Sequence, residues 1–389
     1  MNLRVISKSI AEKVLAEAKS KKLVHPKANY FYSKEALRYR LNLLTEYFPK
    51  NTLHAIAIKT NNHPEVLKYI ANNGFGLEAA SIEEVKLAQK AGVSPSKIVF
   101  DSPVKTKSEI DYCHKNLPGA LINVNCFEEI KRYPKDFSCK LGLRINPLVN
   151  VDTDKDLNVS KLNSKFGIPF TKKNEIFKLL TNSDQFTAIH FHIGSGISDF
   201  APNLKAYKIL TEFILEVNSE RIKKGILKSI DTVDIGGGID FELESENGLE
   251  MFTKGLSEAS KYIDFKIVTE FGKFIHENNA FVSSSVEYIT KNTPEIHNAF
   301  IHVGADLFLR KVYSSMNINY PISVVGKERS QQIYRIVGPL CFAGDVLYES
   351  VNLPILNEGD EIIINNTGAN TLSMWSKHCS REEINFIFF

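Results

Sequence analysis

From Ser33 onward the chain alternates between two hydrophobic rhythms. Short, nearly continuous apolar runs read as strands, and longer stretches with apolar positions three and four apart read as helices. The strand signals fall at Leu53–Lys59, Gly76–Ala80, Lys97–Asp101, Leu121–Asn125, Lys140–Asn146, Thr187–His192, Asp231–Ile235 and Lys266–Glu270. Between them lie helical patterns at Ser33–Tyr47 (Ser33 as cap), Pro64–Asn73, Ile82–Ala91, Ser108–Asn116, Phe127–Tyr133, Asn174–Thr181, Asn203–Glu220 and Leu249–Tyr262. Strands apolar on both faces need helices on both sides, which describes a parallel sheet. Eight such units within a span of about 250 residues predict a (β/α)8 barrel over residues 34–273, with a doubly wound sheet as the alternative.

After Gly272 the texture changes. Strand-like runs at Ala280–Tyr288, Ala299–Val303, Gln332–Ile336 and Glu361–Asn365 sit between turn residues, with few helical patterns. Residues 274–389 therefore read as a β domain, joined by residues 1–33 through a strand near Phe31. An amphipathic segment, Ile10–Lys21, and a turn at His25-Pro26 precede that strand. No Pro- or Ser-rich linker separates the two parts.

Composition narrows the function. Hydrophobic residues at 43% and charged residues at 24% are ordinary for a globular protein. A net charge of +3 gives no electrostatic case for nucleic acid or a membrane surface. Five scattered cysteines (113, 126, 139, 341, 379) show no metal-binding spacing and suit a reducing cytoplasm. Neither a signal peptide nor an apolar run long enough to span a bilayer is visible, so a cytoplasmic location is expected.

Candidate chemistry lies at the carboxyl ends of the barrel strands, where such barrels hold their active sites. The strands end in Lys59, Glu78, Arg144, the run His190-Phe-His-Ile-Gly-Ser-Gly196, Asp234 with Gly236-Gly-Gly238, and Glu270-Phe-Gly-Lys273. A lysine at the end of a buried strand is desolvated, its pKa falls, and a neutral amine forms Schiff bases with carbonyls. Glycines after the seventh and eighth strands, with Lys273, suit a phosphate. His190 and His192, two apart on a strand, face one side. No cysteine or carboxylate at ligand spacing makes them a metal pair. His192 is placed to lie over a planar ligand, and His190 reads as core. The acidic run Asp152-Thr-Asp-Lys-Asp156 lacks the glycine and glutamate of a calcium loop and reads as solvated. A phosphate site, an aldehyde-trapping lysine and the Glu270 carboxylate together fit pyridoxal 5′-phosphate, whose pyridine nitrogen needs an acidic partner.

These residues carry a resemblance to the fold-type III pyridoxal-phosphate decarboxylases of diaminopimelate and ornithine. The matching segments run in family order: Ala57-Ile-Lys-Thr-Asn61, Gly76-Leu-Glu-Ala-Ala-Ser81 with Glu84, Phe100–Thr106, Leu143-Arg-Ile-Asn-Pro147, Ser164-Lys-Phe-Gly167, His190–Ser195, Asp234–Gly238, Glu270–Lys273, Gly338-Pro-Leu-Cys341 and Gly368-Ala369. The resemblance implies a homodimer acting on a small-molecule amino acid substrate, free or carrier-bound, with sites between one subunit's barrel and the other's β domain. It implies that Lys59 binds the cofactor aldehyde, Glu270 pairs with the pyridine nitrogen and His192 stacks on the ring. Ser195, Gly237, Gly238, Gly272 and Lys273 would hold the phosphate, Glu78 and Arg144 would line the cofactor, and Cys341 would protonate the product. Arg310, in the run Asp306–Tyr313, resembles the family's arginine for a distal carboxylate.

This chain departs from the family in three places. The acid expected after the cysteine is Phe342, the tyrosine expected after Gly368-Ala369 is Asn370, and Phe271 and Lys273 stand where the family has Pro and Arg. Arg and Lys are not equivalent anion binders. A pocket with Phe342 leaves a distal ammonium unpaired, a loss of about 1–3 kcal/mol. The expected substrate therefore lacks that ammonium, with Arg310, Tyr313 and Phe342 facing its tail. A racemase on the same barrel, or a non-catalytic binding relative, are the alternative readings.

Overall fold

A computed structural model of the chain describes residues 6–153, 157–240, 246–261, 263–291, 297–314, 318–329 and 331–389. It divides into two compact units, one of residues 42–274 and one of residues 1–41 with 275–389. The helix Lys34–Tyr47 crosses that division.

The first unit is a closed parallel barrel. Its strands, in chain order, are Leu53–Ala57, Gly76–Ala79, Ile98–Phe100, Leu121–Val124, Lys140–Asn146, Phe186–His190, Thr232–Asp234 and Lys266–Thr269. Each pairs in parallel with its neighbour, and the eighth closes onto the first through Val268 with Leu53 and Thr269 with His54. Almost every strand residue is buried, which explains runs without polar alternation. Helix starts follow local chemistry. Ser81 accepts from the Glu84 N–H, Thr106 and Glu109 form a capping box, and Pro64 opens its helix.

The second unit is a mainly antiparallel sheet. Its long strand Ala280–Thr290 pairs with Ala28–Tyr32, Glu361–Asn365 and His297–Ile301. Gln332–Val337 and Val346–Leu353 extend one side, Ile322–Val324 the other, and the C-terminal Asn385–Phe388 adds in parallel to Ala28–Tyr32. The helix Lys8–Ser20 packs Ala11, Leu15 and Ala18 onto Phe31, Phe281 and Ile363. Phe31 and Phe281 stack with centroids 4.6 Å apart. The N-terminal strand thus joins the sheet where the pattern around Phe31 predicted.

Several boundaries differ from the sequence reading. The first barrel strand stops at Ala57, and Lys59 sits in a 3-10 turn, Ile58–Thr60. The sixth ends at His190, which leaves His192 in the following loop rather than on a shared strand face. The helix after Cys126 spans only Phe127–Ile130. Asp154, Lys155 and Asp156 of the acidic run, and Tyr262, lie outside the described residues. Among the described residues no helix is long and apolar enough to cross a membrane.

Candidate active site

Each barrel strand delivers one polar side chain at or just past its carboxyl end: Lys59, Glu78, Asp101, Asn123, Arg144, His190, Asp234 and Glu270 in strand order. The pairing register sets Arg144 beside His190 and His190 beside Asp234. The sequence singled out the contributions of six strands. Asp101 and Asn123, from the third and fourth, were missed as site residues, although Asp101 stood directly after an apolar triplet.

Lys59 Nζ donates to Glu78 Oε2 at 2.9 Å. The Glu78 side chain is fully buried, whereas about half of the Lys59 side chain, 49%, faces solvent. Burial works to lower the Lys59 pKa, but Glu78, Glu270 and Asp101 outweigh it and raise the pKa above the ordinary lysine value. This corrects the expectation of a desolvated, neutral amine: the carboxylates keep this lysine protonated. Burial also raises the pKa of Glu78, so both partners hold the shared proton tightly.

Asp101 accepts from Arg144 Nη1 at 2.8 Å. Burial pushes the Asp101 carboxyl up, and Arg144 with His190 more than offsets this and holds it below its usual range. The Arg144 guanidinium lies 4.5 Å from the Phe166 ring centroid. A side chain at Gly167 would crowd Arg144 Cγ and the Asn146 N–H, so the Ser164–Gly167 loop closes onto this arginine only because glycine is there. Asp234 accepts from Asn123 at 2.9 Å and from the Gly236 N–H at 3.0 Å.

His190 is no bland core residue. It lies 3.3 Å from Asp101, 3.2 Å from Asp234 and 3.9 Å from Glu270. Burial disfavours its charge, but those carboxylates hold its pKa up, at about 10. His192 is the opposite case. Burial, with Arg144 and Lys59 nearby, holds it well below 6.5, and its Nδ1 accepts from the Gly237 N–H at 3.1 Å. That bond makes the ring neutral, with its proton on Nε2. Glu270 is pushed well above its usual range, first by burial and next by Asp234. Its Oε1 is buried without a hydrogen bond.

The glycines are where the chain runs too close for a side chain. A Cβ at Gly237 would lie 2.4 Å from the Glu270 carbonyl, at Gly238 1.8 Å from the Gly194 carbonyl, and at Gly272 2.4 Å from Thr60. The loops after strands six, seven and eight and the Lys59 turn therefore interlock. Lys273 pairs with Asp240. Phe271 is not a site residue: it is buried against Phe48 and Phe274.

The remaining candidates belong to the second unit. Cys341 is exposed, and Phe342 stacks on Tyr313 with centroids 5.1 Å apart and planes 15° from parallel. Arg310 and Tyr313 share the short helix Leu309–Tyr313. Asn370 adopts a left-handed backbone, φ +55°. Sequence reasoning missed Asp345, whose carboxylate accepts from the Leu340 and Ala305 N–H groups at 2.7 and 2.6 Å.

Residues 34–277 match the family described as pyridoxal-dependent decarboxylase, pyridoxal binding domain. A diaminopimelate decarboxylase of Helicobacter pylori strain J99 is 28% identical over 368 residues, 91% of this chain and 88% of that protein. The crystal structure of an H. pylori diaminopimelate decarboxylase complexed with L-lysine superposes with a TM-score of 0.84 at 27% identity, covering 95% of this chain and 93% of that one. The arginine decarboxylase of Paramecium bursaria Chlorella virus shares the fold, with a TM-score of 0.80 at 21% identity over 97% of this chain and all of that one. With a barrel of eight parallel strands, a polar residue at every strand end and a family match over most of its length, the chain belongs to the pyridoxal-dependent decarboxylases.

Proposed function

We propose that the protein decarboxylates an α-amino acid lacking a distal ammonium, with Lys59 anchoring the cofactor and Cys341 returning a proton to the substrate Cα. The observation that carries this reading is Lys59 standing in a ring of carboxylates that includes Glu270, one of whose oxygens is buried and makes no hydrogen bond. Such an oxygen is costly unless a donor meets it, and a protonated pyridine nitrogen is a donor of the right kind. The residues present therefore fit pyridoxal phosphate.

When bound, that cofactor supplies the electron sink for the bond between Cα and the carboxylate. The chain's own residues do the rest. Before the Lys59 amine can attack a carbonyl it must lose a proton, and Glu78 Oε2, at 2.9 Å and made more basic by burial, is positioned to take it. Glu270 would hold the proton of the ring nitrogen. Neutral His192, turned by the Gly237 N–H, would offer its face to the ring. Because Gly237 spends its N–H there, the phosphate falls to Ser195, Gly238, Gly272 and Lys273, whose ammonium must leave Asp240 or share it. Glu78 and Arg144 line the ring's surroundings.

On the substrate side, Phe342 stacked on Tyr313 presents aromatic surface where a carboxylate would otherwise meet a distal cation, and Arg310 suits an acidic tail. Asn370 supplies an amide in place of a phenol. We further infer a cytoplasmic homodimer in which the β unit of one subunit serves the barrel of the other. Carbon dioxide release measured over a panel of amino acids, with the amine identified, tests the reading. Turnover of neutral or acidic side chains well above that of diaminopimelate is expected. Fast decarboxylation of diaminopimelate would overturn the substrate assignment.

A further inference from the structure

Three carboxylates converge on one imidazole at the carboxyl ends of the barrel strands. His190 Nε2 lies 3.3 Å from Asp101 Oδ2, and Nδ1 lies 3.2 Å from Asp234 Oδ2 and 3.9 Å from Glu270 Oε1. All four side chains are buried. A neutral imidazole carries one N–H and one lone pair, and an ionised carboxylate only accepts. With a carboxylate at each nitrogen, a neutral ring would press its lone pair against an oxygen. Neither ring nitrogen is aligned for a hydrogen bond to these oxygens, so the contacts are ion pairs, and the imidazolium, positive at both nitrogens, suits both neighbours.

We propose that His190 is a positioning residue: as a standing imidazolium it ties Asp101 to Asp234 and so fixes the Glu270 carboxylate where the cofactor's ring nitrogen is held. The proposal rests on the role of Glu270 given above.

The two tied carboxylates are themselves clamped, Asp101 by Arg144 and Asp234 by Asn123 and the Gly236 N–H. Movement of His190 would therefore be resisted from the third and seventh strands at once. Charge points the same way. Counted as fully ionised, the acids Glu78, Asp101, Asp234 and Glu270 face Lys59, Arg144 and His190, which leaves the group one positive charge short and agrees with the raised pKa of Glu270 where no further cation meets it. A protonated ring nitrogen would supply that charge, and loss of the His190 charge would double the deficit. The pKa of about 10 for His190 agrees with this role. Ligand atoms of Asp101, His190 and Glu270 also lie within 4.8 Å of one another, a spacing that could hold a metal ion. Arg144, bonded to Asp101 Oδ2, already brings a fixed positive charge that disfavours a second cation there.

The test uses holoenzyme carrying 15N-labelled histidine, with the His190 signals assigned by their loss in His190→Gln. Both ring nitrogens are expected at imidazolium shifts from pH 6 to pH 9. A neutral ring at pH 7, or stoichiometric divalent metal in the purified protein, would overturn the proposal. His190→Gln should weaken pyridoxal phosphate binding about tenfold or more. Adding Asp234→Asn should recover most of that loss, because it removes the unmet negative charge. An unchanged affinity in the single variant, or no recovery in the double one, would remove the positioning role. A wild-type protein that takes up no pyridoxal phosphate would sink the proposed function instead, and the protonation of His190 would still be readable.

Discussion

At the barrel rim eight strands each contribute a polar side chain, and most of these are buried and bonded to one another. In the β unit the turn Gly338–Asp345 leaves Cys341 and Phe342 exposed and is held by its own backbone bonds together with the single carboxylate of Asp345. Glycines at 304 and 338 keep space for that carboxylate, since a Cβ at either would sit within 2.3 Å of its oxygens. The contrast separates two jobs. The rim presets charges around one fixed chemical group and tolerates little change, because Glu78, Asp101 and Asp234 are each held by named partners and the Glu270 oxygen awaits one. The turn presents a thiol and an aromatic platform on an exposed loop, where substitutions should alter what is recognised with little penalty to folding. This chain's departures follow that division: Phe342 lies in the exposed turn, and Asn370, half-buried, also belongs to the β unit. Within the barrel, Phe271 faces the core, and Lys273 keeps a positive charge.

The largest effect should come from breaking the rim. Lys59→Ala removes the amine paired with Glu78 and should abolish the visible absorbance of the loaded protein. Activity should drop at least about a thousandfold, as when a covalent nucleophile is lost. The fold, followed by circular dichroism, should remain. Retention of the visible band in Lys59→Ala would show that another group holds the cofactor.

The amino-terminal end of the same barrel predicts a pH effect. His54 is buried between Phe48 and Phe75 with its Nδ1 2.8 Å from Thr269 Oγ1. Burial lowers its pKa from 6.5 to about 4. The unfolded chain takes up this proton near pH 6.5 and the folded chain only near pH 4. Folded stability should therefore fall as pH drops between those values and level off below, by about 3 kcal/mol in all. Melting curves from pH 7.5 to 4 on wild type and His54→Asn give the comparison. An equally steep acid loss in the variant would assign the effect elsewhere.

A smaller and more selective loss is expected from Cys341→Ala. The exposed turn should fold unchanged, and cofactor affinity should stay at the wild-type value. The chemical step should slow about a hundredfold, the scale of one positioned proton donor. A parallel loss of cofactor affinity would mean that the two halves are not separable in the way drawn above.

How much of this could be read before the structure follows from the same division. The barrel strands announced themselves because strands buried on both faces are uninterrupted apolar runs, and the residue closing each run is visible by position alone. That logic found Lys59, Glu78, Arg144, His192 and Glu270. It passed over Asn123 because it lies inside its strand, and it took His190 for core because burial and apolar flanks look alike whether or not three carboxylates wait across the barrel. The sign of the Lys59 shift was also out of reach, since it depends on acids from strands two, three and eight. In the β unit, Ile322–Val324, Val346–Leu353 and Asn385–Phe388 carried too weak a pattern to stand out. Their place comes from pairing with distant strands. Asp345 looked like any turn acid, because its partners are backbone N–H groups, which no side-chain pattern reveals.

The finest test of the division is to restore an acid on the exposed half alone. Phe342 is 38% exposed, stacks on Tyr313, and folds over Gly344, where a side chain would meet its ring at 2.6 Å. Phe342→Glu breaks the aromatic stack, worth about 0.5–1.5 kcal/mol at most, and places a carboxylate beside Cys341. If substrate choice resides in this turn, kcat/KM for diaminopimelate should rise about tenfold while that for the best neutral substrate falls, because a distal ammonium gains the partner that Phe342 denies it. The visible spectrum and the melting temperature should hardly move, since no rim residue has changed. A shifted spectrum would mean that Phe342 also shapes the cofactor's surroundings. An unchanged preference with an unchanged spectrum would move specificity from Phe342 to Arg310 or Asn370, where the same pair of measurements on Arg310→Ala would then separate an acidic-tail pocket from a neutral one.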